Sequence, residues 1–277
     1  MRDARRTLPR RTDRVSRVLG RLVIPAALGV SLLHGCADVG NDPDVAVALE
    51  FDSIPYPAVL AGDTLRDSLG AAAPLRGVAY NARGGVIAGA PITFLSLDTG
   101  VTIDGAGFLT TTRRSGQVRL VASINGLQSP DRALSVTRRP DTLLAPATTR
   151  LSYAYALPDV ATNLAPELKV TLQSFDLAGG VTPAVTGWLV RWRVVHNGDT
   201  LSQSDTSRVV LQSPTGRRVR LDTTKTDGTS SRRLRVFANT ISPARDSFFV
   251  IAEVKRHGIP VRGSPVRFVV TVAPPTP

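Results

Sequence analysis

Cysteine is almost absent: Cys36 is the single thiol in 277 residues. No disulfide can form within the chain, so its stability must come from packing. Histidine is nearly as scarce, with His34, His196 and His257 only. A zinc site needs about four nitrogen, sulfur or oxygen ligands, and here it would have to join distant histidines to carboxylates, so no metal is expected. No G-x-S-x-G elbow, phosphate-binding glycine loop or H-E-x-x-H helix occurs, and no cofactor is implied. A Ser-His-Asp triad is defined by geometry rather than order, so composition leaves a hydrolase as an outside reading beside a non-enzymatic one. Aromatic residues make up 5% of the chain and do not interleave with its basic residues, which argues against nucleic acid as a partner. Long apolar runs are missing too. The longest, Leu22 to Leu33, is 12 residues and contains Pro25 and Gly29, short of the roughly 20 that a spanning helix needs.

That short run has meaning in context. It follows eight arginines and two aspartates in residues 1–21 and ends at Leu33-His34-Gly35-Cys36. A basic head, an apolar middle and a small residue before the end form an export signal that is removed. The last four residues resemble the bacterial lipobox, although His34 departs from the small or hydroxyl residue usual there. That resemblance implies cleavage after residue 35, lipidation of Cys36 and a membrane partner reached through the N-terminal lipid. An ordinary secretory signal, or a buried structural thiol, is the alternative. Among lipoproteins of this type an Asp directly after the cysteine signals inner-membrane retention. Ala37 holds that position and Asp38 follows, which implies the outer membrane. Residues 36–44 would form the tether, reaching at most about 30 Å.

Removing the signal also changes the charge. The whole chain carries 34 Lys+Arg against 22 Asp+Glu, and beyond residue 35 the balance is 26 against 20, a formal +6. From residue 45 onward, short Val, Leu, Ile, Thr and Phe runs alternate with Gly, Pro, Asn and Asp clusters every 8–12 residues. No helical period competes, so the chain is predicted to be all-β. Strands are predicted at 45–51, 64–69, 75–81, 91–97, 107–112, 118–124 and 133–137. Asp104-Gly105 and Asn125-Gly126 supply residues that tolerate the positive φ of tight hairpins.

The order Gly62-Asp63-Thr64-Leu65, Ala79-Tyr80-Asn81-Ala82-Arg83-Gly84-Gly85, Pro91-Ile92-Thr93-Phe94-Leu95-Ser96-Leu97-Asp98 and Gly116-Gln117-Val118-Arg119-Leu120-Val121-Ala122 resembles the bacterial immunoglobulin-like (Big) repeats of invasin and intimin type. The resemblance covers 45–137 and implies an immunoglobulin-like sandwich used in adhesion or surface presentation. Residues 138–147 read as a linker, 148–273 as a second, longer sandwich, and 274–277 as a tail. In that second half Asp222 to Ser230, with Asp227-Gly228, resembles the turn before the late strand of these repeats. Its carboxylate spacing is poor for calcium, so a plain turn is expected.

Two features of the second half have functional alternatives. Trp188, Val190, Trp192 and Val194 fall on one face of a strand and Arg191 and Arg193 on the other. Alternation with valines favours core tryptophans, while an exposed pair would form a platform for sugar. Arg217, Arg218 and Arg220 lie close in sequence to Arg232, Arg233 and Arg235, with Arg191 and Arg193 nearby. If these meet on one face they form a guanidinium patch for phosphate or carboxylate groups; the alternative is a set of solvated strand faces. The expectation is a non-enzymatic, lipid-anchored envelope protein acting as a binding, adhesion or spacer module, with an unidentified protein or polysaccharide ligand. A carbohydrate-binding or accessory subunit of an envelope complex is the alternative.

Overall fold

The computed structural model describes residues 44–175, 182–204, 207–241 and 245–274. The export signal, most of the tether, Cys36, and all of the tail but residue 274 lie outside the described residues. All regular structure described is strand, and no helix is long and apolar enough to cross a membrane. Residues 42–277 cluster as one compact unit.

Within residues 48–137 the alternating sequence folds into two facing layers. One sheet runs Ala58–Leu60, Arg132–Thr137, Gly116–Ile124, Thr93–Ser96, with the first pair parallel and the others antiparallel. Facing it, Ala48–Ser53 pairs with Arg76–Tyr80 and Val101–Ile103 with Leu109–Thr111. The Leu75 N–H donates to Gly107 O at 2.9 Å and links these two strand pairs. Period-two alternation sends Val118, Leu120, Ala122 and Ile124 inward, where they meet Leu49, Phe51, Leu65 and Leu109 in the buried core. Asn125-Gly126 forms the predicted tight turn, with φ of 48° and 84°.

Two predictions in this half need correction. Residues 64–69 make only isolated bridges at Thr64 and Arg66. The Asp67 carboxylate accepts the N–H groups of Leu69 and Ala71 at 2.8 and 3.0 Å, so a side-chain turn replaces the ladder. Ala58–Leu60 and Val101–Ile103, outside the predicted strands, are strands as well, the former at a sheet edge.

The second set of strands is fuller. One sheet runs Thr142–Leu144, Leu168–Gln173, Thr229–Val236, Val209–Gln212. The other runs Arg150–Ala154, Val266–Ala273, Asp246–Glu253, Leu189–His196, Asp199–Thr200, and Leu221–Thr223 also pairs with Leu189–His196. Counting the seven principal strands, the first, second, fifth and fourth share one layer and the third, sixth and seventh share the other. A branch of the first strand runs parallel to the last. Both halves follow this plan, which is that of the immunoglobulin-like sandwich.

The segment 138–147, predicted to be a linker, carries the strand Thr142–Leu144. Leu143 is buried, and its N–H donates to Arg262 O at 2.8 Å. The Asp141 carboxylate accepts Arg139 at 2.8 Å, Arg256 at 3.1 Å and the Phe175 N–H at 2.9 Å. One apolar side chain and one multiply bonded carboxylate thus build the segment into the second sandwich.

Candidate functional site

The tryptophan strand resolves first. Trp188 and Trp192 are 3% and 1% exposed, Val190 and Val194 are buried with them, and Arg191 and Arg193 point outward. Trp192 stacks on Phe268 at 6.1 Å between ring centres, and its Nε1–H donates to Ser230 Oγ at 3.0 Å. With both rings covered, no tryptophan platform for a sugar exists on this strand.

The six arginines expected to form a patch are divided. Arg232 is 1% exposed and pairs with Asp222 at 2.8 Å. Its guanidinium also donates to the carbonyls of Val219, Ser231 and Leu221, at 3.0, 2.8 and 2.5 Å. Ser230 Oγ donates to the same Asp222 carboxylate at 2.7 Å. A chain of Trp192, Ser230, Asp222 and Arg232 therefore ties the 219–223 segment to the core. Arg235 is also buried: it pairs with Asp159 at 2.8 Å, donates to Val236 O and stacks on Phe237. Burial alone would raise the Asp159 carboxyl, but the Ala238 N–H, Asn163 and Arg235 together hold it below the ordinary carboxylate range. Arg220 is half-buried and donates to Leu201 O. Only Arg217, Arg218 and Arg233 of the six are exposed. The patch as predicted is thus corrected, because a buried guanidinium held by a carboxylate and carbonyls is turned away from the surface where a ligand would bind.

The missed signal was one of phase. Arg232 shares its strand face with Ser230, Leu234 and Val236, so period two already turned it inward. The same rule gathers a different set of arginines on the outer face of the opposite sheet. Arg191 and Arg193 face outward from one strand. Arg193 lies opposite Ile251, and Ile251 lies opposite Arg267 on the next strand. Arg150 lies beside Val269, two residues from Arg267. All four are exposed, and Phe249, Ile251 and Val269 are half-buried beneath them. The Arg267 guanidinium stands 3.6 Å over the Phe249 ring.

The other candidates are structural. The Asp222 to Ser230 stretch is a turn in which Asp227 accepts the Thr229 N–H and hydroxyl at 3.0 and 2.6 Å, while the Asp222 carboxylate is engaged as above. His196 bonds Asp246 at 3.0 Å and stacks on Phe248. Among the described residues no cluster of three His, Cys, Asp or Glu could hold a metal.

His257 belongs to a seam between the two sets of sheets. Its Nε2 lies 3.2 Å from Asp63 Oδ2, the Tyr56 and Trp188 rings meet at 5.0 Å, and the Trp188 Nε1–H donates to Lys255 O at 3.0 Å. Burial lowers the His257 imidazole, and the positive Arg66 and Arg256 add to that against the pull of Asp63. Asp63 is itself lowered: burial opposes ionisation, but Arg66 and the Thr64 N–H outweigh it. The enclosed space among Tyr56, Trp188, Lys255 and His257 is about 20 Å³, room for no more than about one water. At this point the seam is a joint; an open groove of about 530 Å³ lies beside it, among Pro55, Tyr56, Ser68, Leu189, Arg191 and Leu221.

The chain matches no protein-family model, and no curated protein shows significant similarity to it. Solved structures similar to it include domains 4 and 5 of the S-layer protein SbsC, at 15% identity over 81% of this chain and 96% of that chain, TM-score 0.29. The D0-D1 domain of intimin aligns at 14% identity over 80% of this chain and 98% of that one, TM-score 0.26. The Yersinia pseudotuberculosis adhesin InvE aligns at 14% over 81% of this chain and 58% of that one, TM-score 0.30. A longer SbsC structure is matched over only 29% of its length. Each of these TM-scores lies below 0.5, so the fold assignment rests on strand order and register and not on these alignments.

Proposed function

We propose that this chain is a non-enzymatic, lipid-anchored protein of the cell envelope whose two immunoglobulin-like sandwiches act as a binding, adhesion or spacer module. The observation that carries this reading is the seam. Tyr56 on Trp188 and Asp63 on His257 join the two sets of sheets through side chains. At Gly70 and Gly258 an added Cβ would strike the backbone of His257 and Leu69. A pair of sandwiches joined at backbone distance suits holding a surface at a fixed geometry. On this reading the domains divide at residues 138–141, and lipid on Cys36 places the first sandwich within about 30 Å of an outer membrane.

Membrane fractionation of the full chain against Cys36→Ala tests the anchor. Wild type is expected in the outer-membrane fraction carrying labelled fatty acid, and the variant in the soluble fraction. Equal membrane association of the two refutes the anchor. A second reading, a carbohydrate-binding subunit of an envelope complex, draws on the outward arginines of the second sandwich.

A further inference from the structure

We infer that the outer face formed by Arg150–Ala154, Val266–Ala273, Asp246–Glu253 and Leu189–His196 binds a linear polysaccharide carrying acid groups along its length. The inference rests on the reading of the chain as an envelope binding module and names the ligand class of that module.

The first argument is charge. Arg150, Arg191, Arg193 and Arg267 have no ion-pair partner among the described residues, whereas Arg139, Arg208, Arg232, Arg235 and Arg256 of the same sandwich are each paired with an aspartate. Among the residues the four strands turn outward, Glu253 is the single acid; it lies opposite Arg191 on the neighbouring strand, and Lys255 lies 3.5 Å from its carboxylate. Arg150, Arg193 and Arg267 each stand opposite an apolar residue, Val269 or Ile251, so cross-strand ion pairing does not account for these three. Their excess positive charge is exposed and free to meet an anion from outside.

The second argument is shape. Arg193 and Arg267 flank Ile251, two strand spacings or about 10 Å apart, and Arg191 lies about 7 Å along the strand from Arg193. Groups so spread do not converge on one phosphate. They match a polymer whose acid groups recur along its length, each met by a planar fork that suits a carboxylate. Between them Phe249, Ile251 and Val269 give a low apolar floor for the C–H faces of sugar rings. Stacking over Phe249 holds the Arg267 guanidinium flat, so less freedom is lost on binding.

The test uses the purified full chain and three immobilised probes: polygalacturonate, neutral dextran, and phosphatidylglycerol vesicles. Retention by polygalacturonate and not dextran is expected, weakening as salt rises. The double variant Arg193→Glu with Arg267→Glu should weaken it at least about tenfold, with a melting temperature no lower than wild type. Arg217→Glu with Arg218→Glu, equal in charge change but on other elements, should bind like wild type. Equal loss in both doubles would reduce the effect to net charge and overturn the inference. Retention by vesicles alone, or by no probe, overturns it as well. If Cys36→Ala is released from membranes in that last case, the anchored-module reading survives and the ligand assignment alone fails.

Discussion

Replacing Arg232 with methionine separates a structural arginine from a binding one. The side chain is 2% exposed and its partner Asp222 25%, so the substitution keeps most of the volume while removing every guanidinium donor. It leaves a half-buried carboxylate with only Ser230 for a partner and deprives three carbonyls of a donor. The carbonyls of Val219 and Leu221 lie on exposed residues and can turn to water. The larger cost is therefore the stranded Asp222 charge and the Ser231 carbonyl. Breaking a buried pair from one side costs about 3–5 kcal/mol, a large share of a typical 5–15 kcal/mol. Urea unfolding followed by tryptophan fluorescence measures it directly, since both tryptophans lie in this sandwich and Trp192 belongs to the same network. The midpoint should fall with an unchanged slope, and Arg233→Met, one residue away and exposed, should cost less than about 0.5 kcal/mol. Adding Asp222→Asn to Arg232→Met should recover part of the loss, because the stranded charge is then gone. A cost under about 1 kcal/mol for Arg232→Met, or strict additivity in the double variant, refutes the argument.

The seam should respond to pH. His257 is lowered in the folded state, so the unfolded chain binds its proton more readily. Its contribution is complete above about pH 6.5 and is lost as pH falls through the lower folded value. The lowered Asp63 adds a second loss below about pH 4. Melting temperatures from pH 8 to 5 should fall less steeply for His257→Asn than for wild type, and parallel curves would contradict this. Asparagine suits the position because residue 257 has φ of 48°. Gly258→Ala combines φ of 78° with a clash against Leu69 O, and a loss of at least about 2 kcal/mol in denaturant titration is expected. Trp192→Phe removes the donor to Ser230 and part of a fully buried ring; a loss of about 1–3 kcal/mol by the same titration follows.

Alternation carried most of what could be read in advance. It placed Trp188 and Trp192 inside, Arg191 and Arg193 outside, and the Asn125-Gly126 turn where it stands. It misled where polar side chains replace ladder bonds, as Asp67 does at 69–71, and where a short strand of two or three apolar residues resembles a connection, as at Ala58–Leu60 and Thr142–Leu144. The arginine patch fails for a different reason: nearness in sequence is not nearness on a surface. The outward set needed cross-strand register, which brings residues 150, 193 and 267 together from three strands, and register is not written in any one strand.

The seam has a further consequence for inheritance. Residues 63–70 of the first sandwich and 255–258 of the second are cut to each other at backbone distance. Either sandwich moved beside a different neighbour would arrive with a glycine loop fitted to nothing, so duplication or exchange of one alone is disfavoured. The unit that keeps its own joint intact is the pair.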